Sequence, residues 1–285
     1  MVILDNPIIS IDSMAKIIKI MKSEYVCLVQ TKISEKFINY TAFFCNINMG
    51  IQKVPVMITS YDVINNKTFQ YEKIIKFKIN QNYKEIKIND NRTIYSNGYY
   101  GIAIIEIIPS KDKIKFILDL DDKIFDENYD YENTSIYIIQ NNMGKEQLSV
   151  SYGYLKKYLK KFENFYNIFL YTCSTIDGSW GSPILNLANN KIIGMHIGGS
   201  SQRKKIKMNF GCCLALPING FIFLKYKEKN FTNLQLISSG SYGDVYSAYS
   251  IALKKEICLK KINTEKMKLN YMKQNLNDYQ NDLNN

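Results

Sequence analysis

The chain has 285 residues, 46% of them hydrophobic, and a formal net charge of +11. That suffices for one large or two modest domains with buried cores, and no apolar run is long enough to span a bilayer. Nearly all the positive charge is lysine, since Arg92 and Arg203 are the only arginines. Phosphate and base recognition leans on arginine forks, which puts lysine-rich solvated faces ahead of nucleic-acid or anionic-membrane binding as the reading of that charge.

In chain order, residues 1–24 form an N-terminal segment with one short helix, its apolar residues spaced by threes and fours after Asp12-Ser13. Its opening residues lack the basic and long apolar regions of a secretory signal. The six cysteines (Cys27, Cys45, Cys173, Cys212, Cys213, Cys258) show no metal-type pairing, so reduced thiols, a cytoplasmic location and no metal are expected. From residue 25 onward, short segments rich in Ile, Val, Tyr and Phe alternate with Asn, Asp and Gly. They lie at 25–31, 41–46, 54–59, 74–80, 99–108, 135–140, 148–155, 169–173, 183–187, 191–197 and 210–217. Repeated short strands with turn signals predict a mainly β barrel or sandwich, and the polar stretch 119–133 reads as a connector between two such bodies. The run Arg203-Lys204-Lys205-Ile206-Lys207 reads as an exposed hairpin loop.

The most informative segment is Gly178-Ser179-Trp180-Gly181-Ser182-Pro183, followed by Ile184-Leu185-Asn186, a turn at Asn189-Asn190, and Ile192-Ile193-Gly194-Met195-His196. It resembles the nucleophile loop and following hairpin of trypsin-like serine proteases, with Trp180 where the serine would stand. An indole cannot form an acyl-enzyme. Val56-Met57-Ile58-Thr59-Ser60-Tyr61-Asp62 resembles the phrase that ends in the base histidine, which places Asp62 at that position. Tyr100-Gly101-Ile102-Ala103-Ile104-Ile105-Glu106 resembles the strand opened by the orienting aspartate, which places Gly101 there. Tyr40-Thr41-Ala42-Phe43-Phe44-Cys45 resembles an early strand of the first barrel. The resemblance implies two Greek-key β-barrels, about 25–120 and 134–224, with a cleft between them and a degenerate triad.

Within the same resemblance, Thr175 and His196 stand where the glutamyl-endopeptidase and viral branch builds its primary specificity pocket. Two other readings stay open: a strand histidine satisfied by a backbone carbonyl, and a threonine with a locally bonded hydroxyl. The amides of Gly178 and Trp180 would form an oxyanion-hole-like nest able to hold a carboxylate. Ser179, Ser182 and Cys173 are the neighbouring nucleophile types, and each would need a base in a chain with one histidine.

Further on, Ile237-Ser238-Ser239-Gly240-Ser241-Tyr242-Gly243-Asp244-Val245-Tyr246-Ser247-Ala248 resembles the glycine-rich phosphate loop of protein kinases, with Ser238 replacing the first glycine. Glu256-Ile257-Cys258-Leu259-Lys260-Lys261-Ile262 resembles the third-strand phrase carrying the phosphate-contacting lysine, here Lys260. The resemblance implies a partial kinase N-lobe over 231–285, joined through 225–230, with Ile237, Gly240, Gly243, Val245 and Lys260 facing ATP. Residues 264–285 have helical spacing. No His-Arg-Asp or Asp-Phe-Gly phrase is present, so ATP binding belongs to a complete kinase and should be weak or absent here. Three function classes follow: an inactive protease homologue binding a peptide or protein partner without a cofactor, a kinase fragment, and an active serine endopeptidase with unusual residues. The indole of Trp180 is expected to plug the cleft and donate to Asp62.

Overall fold

The computed structural model describes residues 7–23, 25–33, 36–50, 52–65, 73–79, 82–89, 92–114, 117–126, 128–141, 147–162, 164–199, 208–225, 231–240, 243–250 and 255–262. The expected helix at 264–285, the loop at 203–207 and the junction at 226–230 lie outside these residues. The chain divides into two compact units, Met1–Phe221 and Ile222–Asn285.

In the first unit, α1 (Ile11–Lys22) starts at Ser10, whose side chain accepts from the Ser13 amide. Asp12 sits in its first turn and Lys19 and Lys22 in its last, as the helix dipole favours. Then come β1 (Val26–Ile33), β2 (Lys36–Met49), β3 (Gln52–Ser60), the one-turn helix α2 (Tyr61–Ile64), β4 (Ile74–Ile79), β5 (Asn82–Lys87), β6 (Ile94–Asn97), β7 (Ile102–Glu106), α3 (Pro109–Asp112) and β8 (Leu118–Asp119). These strands make one sheet in the order β5-β4-β1-β2-β3-β7-β6, with β8 parallel to β2. Cys27, Val29, Phe44, Met57, Phe77 and Ile105 fill its concave side.

This first body departs from the two-barrel expectation: no ladder joins its outer strands β5 and β6 among the described residues. A side chain bridges part of that seam. The buried Arg92 guanidinium donates to the Lys87 carbonyl at the end of β5 and the Glu106 carbonyl at the end of β7. It also makes a forked pair with Asp112 of α3, at 2.8 and 3.0 Å. A fork with several fixed donors can close a gap that regular pairing leaves open.

After a 3₁₀ turn at Asp122–Phe125, β9 (Ser135–Asn141), β10 (Leu148–Phe162), β11 (Phe165–Tyr171), β12 (Pro183–Asn186), β13 (Ile192–Gly199) and β14 (Asn209–Cys213) form a closed six-stranded barrel. Tyr137, Leu155, Phe169, Tyr171 and Met195 are among its buried residues. The connector is fastened to this barrel: the buried Asp121 carboxylate accepts from the side-chain amides of Asn186 and Asn189. The sequence reading of one strand over 210–217 needs correction. β14 stops at Cys213, and α4 (Ala215–Lys225) begins there with Pro217 in its first turn, a position where a missing amide hydrogen costs little. A Cβ at Gly220 would come 2.4 Å from the Tyr95 ring, so the glycine lets this helix lie against β6.

The second unit holds a three-stranded antiparallel sheet: β15 (Phe231–Gly240), β16 (Gly243–Ser250) and β17 (Lys255–Ile262), in that order.

Candidate functional site

The loop between β11 and β12 is held against the first sheet by one threonine. Buried Thr41 donates its amide to the Trp180 carbonyl (2.7 Å) and its hydroxyl to the Gly178 carbonyl (2.9 Å). The same hydroxyl accepts from the Asn141 amide at the end of β9 (3.3 Å). The Thr41 carbonyl takes the Thr59 hydroxyl. Thus one residue of β2 ties the loop to both bodies. The approach is so close that a Cβ at Gly181 would lie 1.9 Å from the Thr41 oxygen, with φ at +91°, so only glycine fits. The Gly181 amide donates to the His196 carbonyl and the His196 amide to the Ser182 carbonyl, which fixes the loop's far side on β13.

Asp62, Gly101 and Trp180 are linked through this wall. Asp62 lies in α2, directly after β3. The Tyr61 amide beside it donates to the Gly101 carbonyl (3.0 Å). The Asp62 carboxylate receives the hydroxyls of Tyr40 and Ser60, both at 3.5 Å. The Tyr40 ring lies 6.5 Å from the Trp180 indole, tilted by 54°. Burial, and after it the Asp62 charge, push the Tyr40 phenol above its usual range, so it stays a donor. The expected indole-to-Asp62 hydrogen bond is not formed, and the hydroxyls of Tyr40 and Ser60 take that carboxylate instead. Nor does the indole seal the cleft. It leans on Tyr40 and remains 47% exposed.

Gly101 has φ of +65°, and a Cβ there would meet Phe165 of β11 at 3.1 Å and Ile197 of β13 at 3.3 Å. The space a carboxylate would need is occupied by the second barrel. The candidate substitute nucleophiles are enclosed: Ser179 is 2% exposed, and Ser182 and Cys173 are fully buried. Burial raises the Cys173 thiol to about 12, far from a thiolate at neutral pH. The amides of Gly178 and Trp180, by contrast, have no acceptor among the described residues.

His196 lies inside the closed barrel, and its Nδ1 is 2.6 Å from the Tyr171 hydroxyl. Burial lowers it to about 3, against a smaller opposing effect from a hydrogen bond to the Phe210 backbone. The neutral ring thus accepts from Tyr171 at Nδ1. Thr175 donates its hydroxyl to Asn209 on β14 (3.1 Å), and the Asn209 amide reaches the Cys173 carbonyl. Sequence reasoning passed over Tyr40, Thr41 and Tyr171, which connect these groups. Tyr40 and Thr41 lay in a phrase already noted, but only pairing across the bodies reveals their roles.

In the three-stranded sheet, Gly240 pairs with Gly243 and Val245 with Lys260. Ile237 falls at a register irregularity of β15 and is 60% exposed, and Lys260 is exposed on β17. Among the described residues, no group of three or more His, Cys, Asp or Glu is placed to hold a metal, and no helix is long and apolar enough to cross a membrane.

The geometry agrees with comparison to known proteins. No curated protein matches the sequence. The chain is similar in structure to the HtrA-type protease AlgW with tripeptide, at 11% identity and a TM-score of 0.52, over 80% of this chain and 74% of that one. It also matches the MamO protease domain of Magnetospirillum magneticum, at 11% identity and a TM-score of 0.46, over 69% of this chain and 95% of that one. A Tobacco Etch Virus protease mutant matches at 16% identity and a TM-score of 0.49, over 73% and 80% of the two chains. The family described as the trypsin-like peptidase domain matches residues 41–195. With the hairpin loop locked to β2 and the closed second barrel behind it, the chain belongs to the trypsin-like peptidase domain family.

Proposed function

We propose that the trypsin-like domain, over about 25–224, is a catalytically inactive binding module whose inter-barrel cleft recognises a peptide or protein partner. One observation carries this reading: the only imidazole is buried in the second barrel, its Nδ1 bonded to the Tyr171 hydroxyl and its pKa lowered by burial. No base of suitable affinity is left for a hydroxyl or thiol nucleophile. Asp62, Gly101 and Trp180 stand where a triad would be, and Ser179, Ser182 and Cys173 are enclosed. The unclaimed amides of Gly178 and Trp180 would receive a carboxylate or carbonyl oxygen, and the half-exposed indole would cover an apolar side chain. A pocket role for Thr175 and His196, in the manner of the glutamyl-endopeptidase branch, would require them to exchange their present partners.

The test is covalent labelling with a fluorophosphonate probe and cleavage assays on peptides with acidic residues. Neither labelling nor cleavage is expected. Labelling that disappears in Ser179→Ala or Ser182→Ala would overturn the reading. Binding without turnover is expected to shift the emission of Trp180, the only tryptophan.

We also propose that 231–285 is the front of a protein kinase N-lobe. The pairings Gly240 with Gly243 and Val245 with Lys260 support this, since they set a glycine hairpin beside the strand bearing the lysine. Without a catalytic base or metal ligands in the sequence, ATP affinity is expected to be weak or absent. Calorimetric ATP binding in the sub-micromolar range, lost in Lys260→Ala, would show a more complete cradle.

A further inference from the structure

The helix α1 has more apolar surface than its docking uses. Ile17 and Ile20 are buried against the body. On the neighbouring stripe, Ile11, Met14, Ile18 and Met21 recur at intervals of three and four, the spacing of one helical face. Ile11 is 87% exposed, Met14 46% and Ile18 44%, and Ile8 before the helix is 98% exposed. This stripe leads into a groove of about 600 Å³ where α1 meets both bodies. Its apolar lining comes from Ile18 and Met21 of α1, Val26 of β1 and Leu148 of β10. Lys22, Lys78, Asn141 and Gln147 supply the polar lining, with no carboxylate among the described residues that line it.

We infer that this groove and stripe dock an acidic amphipathic helix from a partner protein, at a site separate from the Trp180 cleft. An apolar ridge of such a helix would lie along Ile11, Met14 and Ile18 and end in the groove. Its flanking carboxylates would meet Lys22 on the rim and the exposed Lys16 and Lys19 of α1. Charge selects this occupant. A second copy would bring its own lysines and a further +11 against the same face. The groove lies between α1, β1, β4, β9 and β10, and such a recess suits an inserted peptide better than a flat lipid surface.

The full chain would be titrated with a fluorescent designed helix carrying leucine on one face and glutamate on its flanks. The matching lysine-flanked helix and phosphatidylserine vesicles would be tested in parallel. The acidic helix is expected to bind, with at least tenfold weakening in Ile11→Asp and in Lys22→Glu, and unchanged binding in Trp180→Ala. Ile11 is almost fully exposed, so its substitution leaves folding intact. Partial recovery of binding to the lysine-flanked helix by Lys22→Glu would add support. Equal binding of the two helices, or loss of binding in Trp180→Ala, would overturn the proposal. So would vesicle binding without helix binding, or self-association that Ile11→Asp abolishes.

Discussion

Gly101 leaves little room for a side chain at the position where an orienting carboxylate would be expected. Its φ of +65° and the contacts a Cβ would make with Phe165 and Ile197 penalise any side chain there. The combined change Asp62→His, Gly101→Asp, Trp180→Ser is therefore expected to give no peptidase activity. Gly101→Asp alone should lower stability by about 1–3 kcal/mol, measured by urea denaturation. His196 gives a pH signature of known sign. Its pKa falls from 6.5 to about 3 in the fold. Above pH 6.5 the ring is neutral in both states. Below it the unfolded chain takes a proton that the folded chain refuses, so stability falls as pH drops toward 3. Relative to His196→Gln, the native protein should lose about 1 kcal/mol more per pH unit between pH 6 and 4. Parallel curves would show that the buried ring does not contribute as argued.

At the scale of elements, the decisive contact is between β2 and the loop before β12. Thr41→Val keeps the shape but strands the Gly178 carbonyl and the Asn141 amide, costing about 1–3 kcal/mol. The melting temperature should fall by several degrees, and Trp180 emission should shift because the loop loses its tether. Thr59→Val, which removes only a bond to the Thr41 carbonyl, should leave that emission near its native value. Most strands were legible from β-branched and aromatic runs, yet their ends were not. β2 and β10 extend well beyond the apolar segments 41–46 and 148–155 because cross-strand pairing, not hydrophobicity, carries their exposed ends. β5 (Asn82–Lys87) was missed for the same reason, being mostly polar and exposed. The helix α4 was hidden because Leu214 through Phe221 is apolar apart from Asn219, with Pro217 and Gly220 inside it, and short apolar runs carry no period that separates helix from strand.

For the whole molecule, the two compact units differ in how they are held together. The cores of both bodies come from residues up to Phe221, whereas Ala248 is the only buried apolar residue among the described positions of the three-stranded sheet. A chain ending at Lys225 is therefore expected to keep the near-ultraviolet circular dichroism of the barrels and melt within a few degrees of the full chain. A piece comprising 231–262 alone should not unfold cooperatively, since three strands with Leu236 and Ile237 exposed are marginal in water. Loss of the barrel signature on truncation would show that the units depend on each other. By itself, the sequence determined the β architecture and the trypsin-like family, because strand periodicity and the residue types in the Gly178–Pro183 loop are local properties. Only the tertiary structure decided that Trp180 leans on Tyr40, that Phe165 and Ile197 close the space beside Gly101, and that His196 is bonded to Tyr171. Each of these depends on residues distant in the chain, and no local pattern encodes which strands meet or how closely.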